Sequence, residues 1–312
     1  MTPPLTPDPT RRRPLGRTGL LVPPVCVGCA PLASMPDTFG YAVSEADALA
    51  TVRAIFKSEI SFLDTAASYG DGESERRIGL VLREIGGAPN GFVLATKADR
   101  NLQTGDFSGD QMKRSVERSL RLLGVDRLSV CYLHDPEHVS FEEMTRRGGA
   151  LDVLRRLTDE GVIEHLGVAG GPIDLMIRYV DLGCFEAVIT HNRYTLLNRE
   201  AEPLLERATK LGIAALNAAP YGSGILAKGP SAYPRYMYRD ASAELLERAR
   251  YAEAACARHG VPLAAAALQF SLRDPRVTST IVGMTRPERL AQTIELARVP
   301  IPDDLWQELG VT

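Results

Sequence analysis

The chain has 312 residues, a length that fits one α/β barrel or two smaller domains. With 45% hydrophobic and 24% charged residues, it has the composition of a soluble globular protein. The formal net charge of −3 and the scattered basic residues argue against a nucleic-acid partner. No window approaches the roughly 18 to 20 apolar residues of a membrane helix. We expect a cytoplasmic protein without a membrane contact, either a monomer or a small homo-oligomer.

The N-terminus differs in composition from the rest of the chain. Residues 1–13 are rich in proline and end in Arg11, Arg12 and Arg13, without the apolar stretch of a signal peptide. No linker-like segment interrupts the remainder. We predict a flexible tail over residues 1–13 and one domain over residues 14–312.

The elements then alternate between short apolar runs and longer amphipathic stretches. The predicted strands are 25–28, 62–64, 93–97, 129–134, 165–169, 187–190, 214–217 and 279–283. The predicted helices include 46–57, 73–85, 111–123, 151–160, 201–211, 244–259 and 263–273. Because each crossover is long enough for a helix, the pattern predicts a closed parallel (β/α)8 TIM barrel.

Three connections are longer than a barrel requires, and each follows a strand. They are residues 30–43, 135–149 and 226–241. Loops after strands lie at the C-terminal rim of a barrel, where active sites are assembled. We predict that these loops form the walls of a substrate site.

The five cysteines lie among apolar runs, as packed free thiols do. Cys26 and Cys29 have the spacing of a redox or metal pair, but no second pair accompanies them. On a strand, a separation of three residues points two side chains to opposite faces. We therefore interpret both cysteines as core residues.

Four ionisable residues lie at or just beyond the ends of three consecutive predicted strands. They are Asp64, Tyr69, Lys97 and His134. Each alone has an ordinary explanation in capping, packing or solvation. Together they occupy the same register, where unpaired charge in a packed barrel would be costly. We predict that they meet at one mouth of the barrel.

These side chains form a chemically sensible acid–base set. A phenol with a reference pKa of about 10 is a weak base unless a cation stabilises its phenolate, and Lys97 can supply that cation. Asp64 would hold the ammonium group, and His134 would hydrogen-bond the reacting oxygen. The set predicts proton transfer by Tyr69 without a nucleophile.

Residues 62–75, together with Ile78 and Gly79, resemble the signature of the aldo-keto reductases. Further segments with this resemblance are 95–97, 119–126, 132–134 and 281–283 with Pro287 and Glu288. The resemblance implies a catalytic tetrad of Asp64, Tyr69, Lys97 and His134. It also implies NAD or NADP as the cofactor and a small carbonyl compound or sugar as the substrate.

The cofactor site cannot be of the Rossmann type, since no GxGxxG motif follows the first predicted strand. Two loops offer phosphate sites: the glycine-rich turn at 219–226, and 285–288, which we interpret as a capping box that opens the last helix. A purely structural turn is the alternative for either loop. The predicted cofactor residues are His191, Asn192, Pro220, Tyr221, Gly222, Ser223, Gly224, Gly283, Met284, Thr285, Arg289 and Gln292.

The chain departs from the wider family at this cofactor site. Ala169 and Gly170 stand where many members have Ser-Asn, and Ala218 stands where an aromatic residue usually stacks on the nicotinamide. His191 and Asn192 are the substitutes we expect for the carboxamide contacts. Gly283 replaces a lysine often used for the 2′-phosphate of NADP, which leaves Arg289 and Arg286 and favours NAD, although both cofactors fit.

These departures, together with residues 192–197 and 217–224, resemble the branch of D-threo-aldose (L-fucose) dehydrogenases and pyridoxal 4-dehydrogenases. This resemblance implies oxidation of an aldose at its first carbon, with pyridoxal oxidation or general aldehyde reduction as the alternative. A second class is a nicotinamide-binding regulatory subunit with little turnover. A third is a metal-dependent hydrolase that uses His134, Asp135 and His138 with Asp64, although Lys97 would repel the cation. We expect no metal.

Overall fold

A computed structural model describes residues 8–311 of the chain. Eight parallel strands form a closed barrel, in which each strand pairs with the next and the last pairs with the first. The predicted (β/α)8 TIM barrel is confirmed. The strands are β1 (Val25–Gly28), β2 (Phe62–Asp64), β3 (Val93–Ala98), β4 (Val130–His134), β5 (Leu166–Ala169), β6 (Ala187–His191), β7 (Ala214–Ala218) and β8 (Val277–Gly283).

The strands are apolar on both faces because each parallel strand is covered on both sides. Successive side chains alternate between the barrel interior and the helical layer. Thus Phe62 and Tyr132 fill the interior, whereas Leu63 packs in the cluster beneath the helices. Cys26 and Cys29 divide in the same way, and both are buried free thiols. Their interpretation as core residues is confirmed.

Helices surround the barrel, most of them amphipathic. They are α1 (Glu45–Lys57), α2 (Glu73–Ile85), α3 (Gly109–Leu123), α4 (Ala150–Asp159), α5 (Ile173–Val180), α6 (Glu202–Leu211), α7 (Ala243–Arg258), α8 (Leu263–Leu272), α9 (Glu288–Arg298) and α10 (Asp303–Glu308). Ser44, Ser108 and Ser242 cap α1, α3 and α7 by accepting a backbone hydrogen bond. The predicted helices begin and end within two residues of these bounds.

The predicted capping box at the start of α9 is wrong. The helix begins at Glu288, so its N-cap is Pro287, which makes no side-chain capping hydrogen bond. Thr285 lies two residues before that cap and cannot occupy its position. The N-terminus of α9 therefore lacks the reciprocal side-chain bonds of a capping box.

The N-terminal end of the barrel is closed by a short antiparallel hairpin of Arg13–Pro14 with Leu21–Val22. Leu15 and Val22 belong to the interior cluster, and the Arg13 guanidinium donates to the carbonyl of Val277 at 3.1 Å. Arg13, assigned to the tail from its sequence, is therefore paired with the barrel. Residues 1–7 of the predicted tail lie outside the described residues.

The three long loops follow β1, β4 and β7, so they lie at the C-terminal rim. The third carries a hairpin of Arg235–Tyr236 with Arg239–Asp240. Its two-residue turn, Met237 and Tyr238, has φ angles of 51° and 64°. Such turns usually contain Asn or Gly, so the sequence lacked the signal that predicts them. No helix within residues 8–311 is long and apolar enough to cross a membrane.

Candidate active site

The buried ammonium group of Lys97 connects the predicted catalytic residues. Its Nζ lies 2.5 Å from Asp64 Oδ2, 3.2 Å from Tyr69 Oη and 2.7 Å from the carbonyl oxygen of Thr65. Lys97 is only 2% exposed and Asp64 only 3%. A buried charge is tolerated where it is paired and its hydrogen bonds are satisfied. The geometry brings the predicted cation, carboxylate and phenol together.

Strand register explains this convergence. Asp64 pairs with Ala95, and Lys97 lies two residues beyond Ala95, on the same face of β3. Lys97 pairs in turn with Tyr132, two residues before His134. The interior series of β2, β3 and β4 therefore ends in Asp64, Lys97 and His134 at the same rim.

Tyr69 is positioned by a tight loop after β2. The loop contains Gly70 and Gly72, whose φ angles are 59° and 88°. A Cβ atom at Gly70 would lie 2.9 Å from the carbonyl oxygen of Ala33, so the loop packs closely against the connection after β1. The N–H of Ser68 donates to Asp99 Oδ2 at 2.9 Å. These contacts fix the backbone on both sides of Tyr69.

His134 is held by a carboxylate that the sequence analysis missed. Asp99 Oδ1 lies 2.6 Å from His134 Nδ1, and the rings of His134 and Tyr69 meet edge to face with centroids 6.0 Å apart. Asp99 lies two residues after Lys97 and continues the interior series of β3, which is the signal that could have found it. It adds a fifth ionisable residue to the predicted four.

Burial and charge act against each other at this site. Burial disfavours a charged Lys97, but Asp64 and Tyr69 outweigh burial and raise the pKa of Lys97. For Tyr69, burial is the largest influence and raises its pKa, while Lys97 opposes the rise. The effect of Lys97 thus has the expected sign but is smaller than that of burial. At neutral pH Lys97 is charged and the Tyr69 phenol keeps its proton.

The predicted carboxamide residues lie together at the end of β6. Burial lowers the pKa of His191 to about 4, so this imidazole is neutral at pH 7. Asn192 Nδ2 lies 3.3 Å from His191 Nδ1, and Asn192 Oδ1 accepts from Ser223 Oγ at 3.0 Å. Both polar ends of the fully buried Asn192 are therefore engaged within the protein. Asn192 therefore links His191 to Ser223 through hydrogen bonds.

The glycine-rich turn after β7 is shaped by its own packing. Pro220 is buried and Tyr221 half-buried, and the N–H groups of Gly222 and Gly224 donate to Ala219 and Tyr221 inside the turn. A Cβ atom at Gly222 would lie 2.4 Å from the ring of Tyr236. The two glycine amides are therefore occupied, and Gly222 is needed for contact with the rim hairpin. Ser223, with a φ of 65°, carries the polar side chain of the turn.

The residues at the end of β8 and just after it differ in solvent exposure. Gly283 is exposed, Thr285 is half-buried and Met284 is fully buried, with its N–H donating to the carbonyl of Gly28. Arg289 donates to Gln292 Oε1 at 2.6 Å on the exposed side of α9. Arg289 also lies close enough to Tyr221 to stabilise its phenolate electrostatically. A cation thus lies beside the turn after β7.

The metal-site alternative finds no support in this geometry. His134 Nδ1 is committed to Asp99, and Lys97 places a positive charge beside Asp64. Within residues 8–311 no three His, Cys, Asp or Glu side chains are grouped as a metal ion would require.

The family model described as "Aldo/keto reductase family" matches residues 25–310. The chain belongs to the aldo/keto reductase family. The resemblance predicted from residues 62–75 and the later segments is therefore confirmed. The paired Asp64, Lys97 and Tyr69 occur in this aldo/keto reductase with His134 beside them.

Among the similar proteins are two sugar dehydrogenases. D-threo-aldose 1-dehydrogenase from a Pseudomonas species is 31% identical, over 94% of each chain. L-galactose dehydrogenase from Arabidopsis thaliana is 30% identical, over 90% of this chain and 86% of its own. Pyridoxal 4-dehydrogenase from Microbacterium luteolum is 31% identical, over 96% of each. The predicted branch is confirmed at this level of similarity.

The fold is shared with solved structures. The holo form of an aldo-keto reductase from Bacillus halodurans superposes with a TM-score of 0.77 over 96% of this chain and 95% of its own. At 21% identity this likeness concerns the fold alone.

Proposed function

We propose that the chain is an NAD(P)-dependent dehydrogenase that oxidises an aldose at its anomeric carbon. The observation that carries the proposal is the buried contact of Lys97 with both Asp64 and Tyr69, because it is built for proton transfer at Tyr69 Oη. The names of two relatives, an aldose and a galactose dehydrogenase, point to sugars as the substrate class.

Tyr69 is the proton-transferring residue of this proposal. In oxidation its phenolate removes the proton of the substrate hydroxyl, and in reduction its phenol donates that proton. Lys97 stabilises the phenolate, and Asp64 fixes the ammonium group at 2.5 Å. His134, with its ring edge at Tyr69, hydrogen-bonds the reacting oxygen.

The donor set suits a nicotinamide dinucleotide. Neutral His191 and the hydroxyl oxygen of Ser223, whose own proton is donated to Asn192, offer uncharged hydrogen bonds near the ends of β6 and β7, where a carboxamide would be held. Pro220, Tyr221 and Gly224 would border the pyrophosphate, and Arg289 with Gln292 would meet the adenosine end. Hydride exchange with the substrate carbon is the chemistry that a bound nicotinamide supplies.

The choice between NAD and NADP depends on the residues at the end of β8 and the start of α9. Arg289 is the cation that contacts Gln292, while Gly283 has no side chain to bind a 2′-phosphate. This arrangement favours NAD and leaves NADP usable.

Reduction of an aldehyde, or reaction with pyridoxal, is the second candidate. A specific observation favours reduction: burial raises the pKa of Tyr69 and keeps its phenol protonated, as a proton donor must be. The pyridoxal dehydrogenase among the relatives supplies the second substrate class.

The test is a panel of aldoses, pyridoxal and simple aldehydes and alcohols, each assayed with NAD and NADP at the nicotinamide absorbance band. We expect at least one aldose to be oxidised. Failure of every sugar while pyridoxal or an aldehyde reacts would reject the leading choice. Nucleotide binding with no turnover of any compound would instead favour a regulatory subunit.

A further inference from the structure

Asp99 is a buried carboxylate whose position is fixed from several sides. It is 3% exposed and follows directly after β3. Its N–H donates to Ser115 Oγ at 3.0 Å, and its carbonyl accepts from Gln111 Nε2 at 3.0 Å, so α3 holds its backbone. Its Oδ2 accepts the N–H of Ser68, next to Tyr69. The remaining oxygen, Oδ1, faces His134.

The contact with His134 selects one ring nitrogen. Carboxylate oxygens only accept hydrogen bonds, so at 2.6 Å from Asp99 Oδ1 the Nδ1 of His134 must be the donor. The other nitrogen, Nε2, has Asp135 Oδ1 at 3.7 Å, beyond hydrogen-bonding distance. Nε2 is therefore the nitrogen left for a substrate oxygen.

Lys97 and Asp99 thus perform parallel tasks from one strand end. Lys97 places a positive charge beside the phenol of Tyr69, and Asp99 places a negative charge beside the imidazole of His134. Both side chains point inward because they are two residues apart on an extended backbone.

We propose that Asp99 is a positioning residue of the reaction: it accepts the Nδ1 proton of His134 and stabilises the doubly protonated imidazolium, whose Nε2–H then donates to the substrate oxygen. This inference rests on the proposed function and deepens it. Asp99 acts on the substrate oxygen through His134, and its other oxygen holds the backbone beside Tyr69.

Several charged or titratable groups face His134. They are Lys97 from β3, Asp99 directly after it, Asp64 and Tyr69 from β2 and its loop, the adjacent Asp135, and His191 from β6. Burial lowers the pKa of His134, but Asp99 and Asp135 outweigh burial and raise it. Without Asp99, the imidazolium would keep only the longer contact with Asp135 while Lys97 still repels it.

A direct test observes His134 in the resting protein. The chain has only five histidines, so ¹⁵N-histidine labelling gives a small set of imidazole signals, and His134→Gln assigns the one of interest. We expect a protonated Nδ1 in the wild type. In Asp99→Asn, the titration midpoint of His134 should fall by about one pH unit or more, as expected for loss of a charge in direct contact.

Asp106→Asn is the matched control. Asp106 lies in the same loop and is paired with Arg114 on the surface, away from His134. Asp106→Asn removes one negative charge, as Asp99→Asn does, and the titration midpoint of His134 should stay at its wild-type value.

Turnover supplies the second readout. Each unit of lowered His134 pKa reduces the imidazolium-to-imidazole ratio tenfold. Asp99→Asn should therefore lower the reduction rate by up to about tenfold at pH values above the wild-type His134 midpoint, shift the His134 limb of the pH profile to lower pH and leave nucleotide affinity unchanged. Asp99→Glu, which keeps the charge, should restore part of the rate. A merely structural role would lower activity without moving that limb.

The outcomes separate this inference from the proposed function. An unchanged His134 midpoint in Asp99→Asn, or a wild-type spectrum with Nδ1 unprotonated, overturns it. Because the wild-type spectrum shows whether His134 Nδ1 is protonated, it tests the inference even if Asp99→Asn does not fold. If no substrate is turned over, the proposed function fails, but the nuclear magnetic resonance spectrum of His134 still tests the role of Asp99.

Discussion

The mouth of the barrel has two halves that differ in how they are built. The half at β2 to β4 carries ionisable side chains on regular strand ends, with Lys97 and Asp99 buried and paired. The half at β6 to β8 carries neutral donors on irregular backbone, where Asn192, Ala219 and Ser223 all have positive φ angles. On our proposal the first half moves protons and the second half holds the cofactor.

This difference predicts how strongly substitutions in each half affect rate and nucleotide affinity. Buried charges in the first half depend on their partners, so a single substitution leaves an unpaired charge. In the second half, Ser223 donates to Asn192 and Arg289 to Gln292 within the protein. On our proposal each side chain makes a single contact with the nucleotide, so each substitution should remove a modest amount of binding. Substitutions in the first half should therefore have larger effects, and on rate instead of on nucleotide affinity.

The largest expected effect is on turnover in Tyr69→Phe. The phenol supplies positioned acid–base catalysis, typically worth about 10² to 10⁴ in rate, so turnover should fall by at least about 10². Steady-state assays on the best substrate of the panel measure it. A Tyr69→Phe enzyme with near-normal turnover would contradict the proton-transfer role.

Lys97→Met should lower turnover and also move the pH profile. Loss of the cation raises the pKa of Tyr69 further, so oxidation, which needs the phenolate, requires higher pH. Reduction, which needs the protonated phenol, should extend to higher pH for the same reason. Profiles of both directions that stay in place would argue against electrostatic coupling of Lys97 to Tyr69.

The same substitution should destabilise the fold. Lys97→Met leaves Asp64 buried without its partner, which typically costs about 3 to 5 kcal/mol. Denaturant unfolding measures the loss, and the double variant Asp64→Leu with Lys97→Met should recover part of it because no buried charge remains. A single variant as stable as the wild type would mean that Asp64 becomes neutral or is hydrated.

Ser223→Ala probes the second half. On our proposal Ser223 Oγ accepts one neutral hydrogen bond from the nucleotide, whose loss costs about 1 kcal/mol, so nucleotide affinity should weaken roughly fivefold. Turnover at saturating nucleotide should remain near the wild-type value. Calorimetric titration gives the affinity, and a fall in saturated turnover instead would place Ser223 in the chemical step.

The smallest expected effect is in Arg289→Ala, which should weaken NADP about two- to fivefold more than NAD, as a partly exposed charge pair suggests. Arg298→Ala, at the exposed C-terminal end of α9, is the control and should change neither affinity. Equal losses for the two cofactors would show that Arg289 does not contact the 2′-phosphate.

The half at β2 to β4 was predicted better from the sequence than the half at β6 to β8. Short apolar runs with an ionisable residue at or near the end define β2, β3 and β4, so the sequence predicts Asp64, Lys97 and His134 in the same register. Asp99 was missed because it lies one residue beyond the apolar run, although the same periodicity extends to it.

The second half was harder to predict because its shape depends on contacts distant in sequence. Gly222 is required by the ring of Tyr236, and the rim hairpin turns at Met237 and Tyr238 without Asn or Gly. Thr285 matched a capping pattern, yet α9 begins three residues later at Glu288. Local pattern alone does not contain this information.

The central claim is that the two halves do separate work, and the most direct test measures saturated turnover and nucleotide affinity on the same preparations of Tyr69→Phe and Ser223→Ala. We predict that Tyr69→Phe loses at least about 10² in turnover with nearly unchanged affinity, and that Ser223→Ala loses affinity with nearly unchanged turnover. Loss of both properties in both variants would contradict the division.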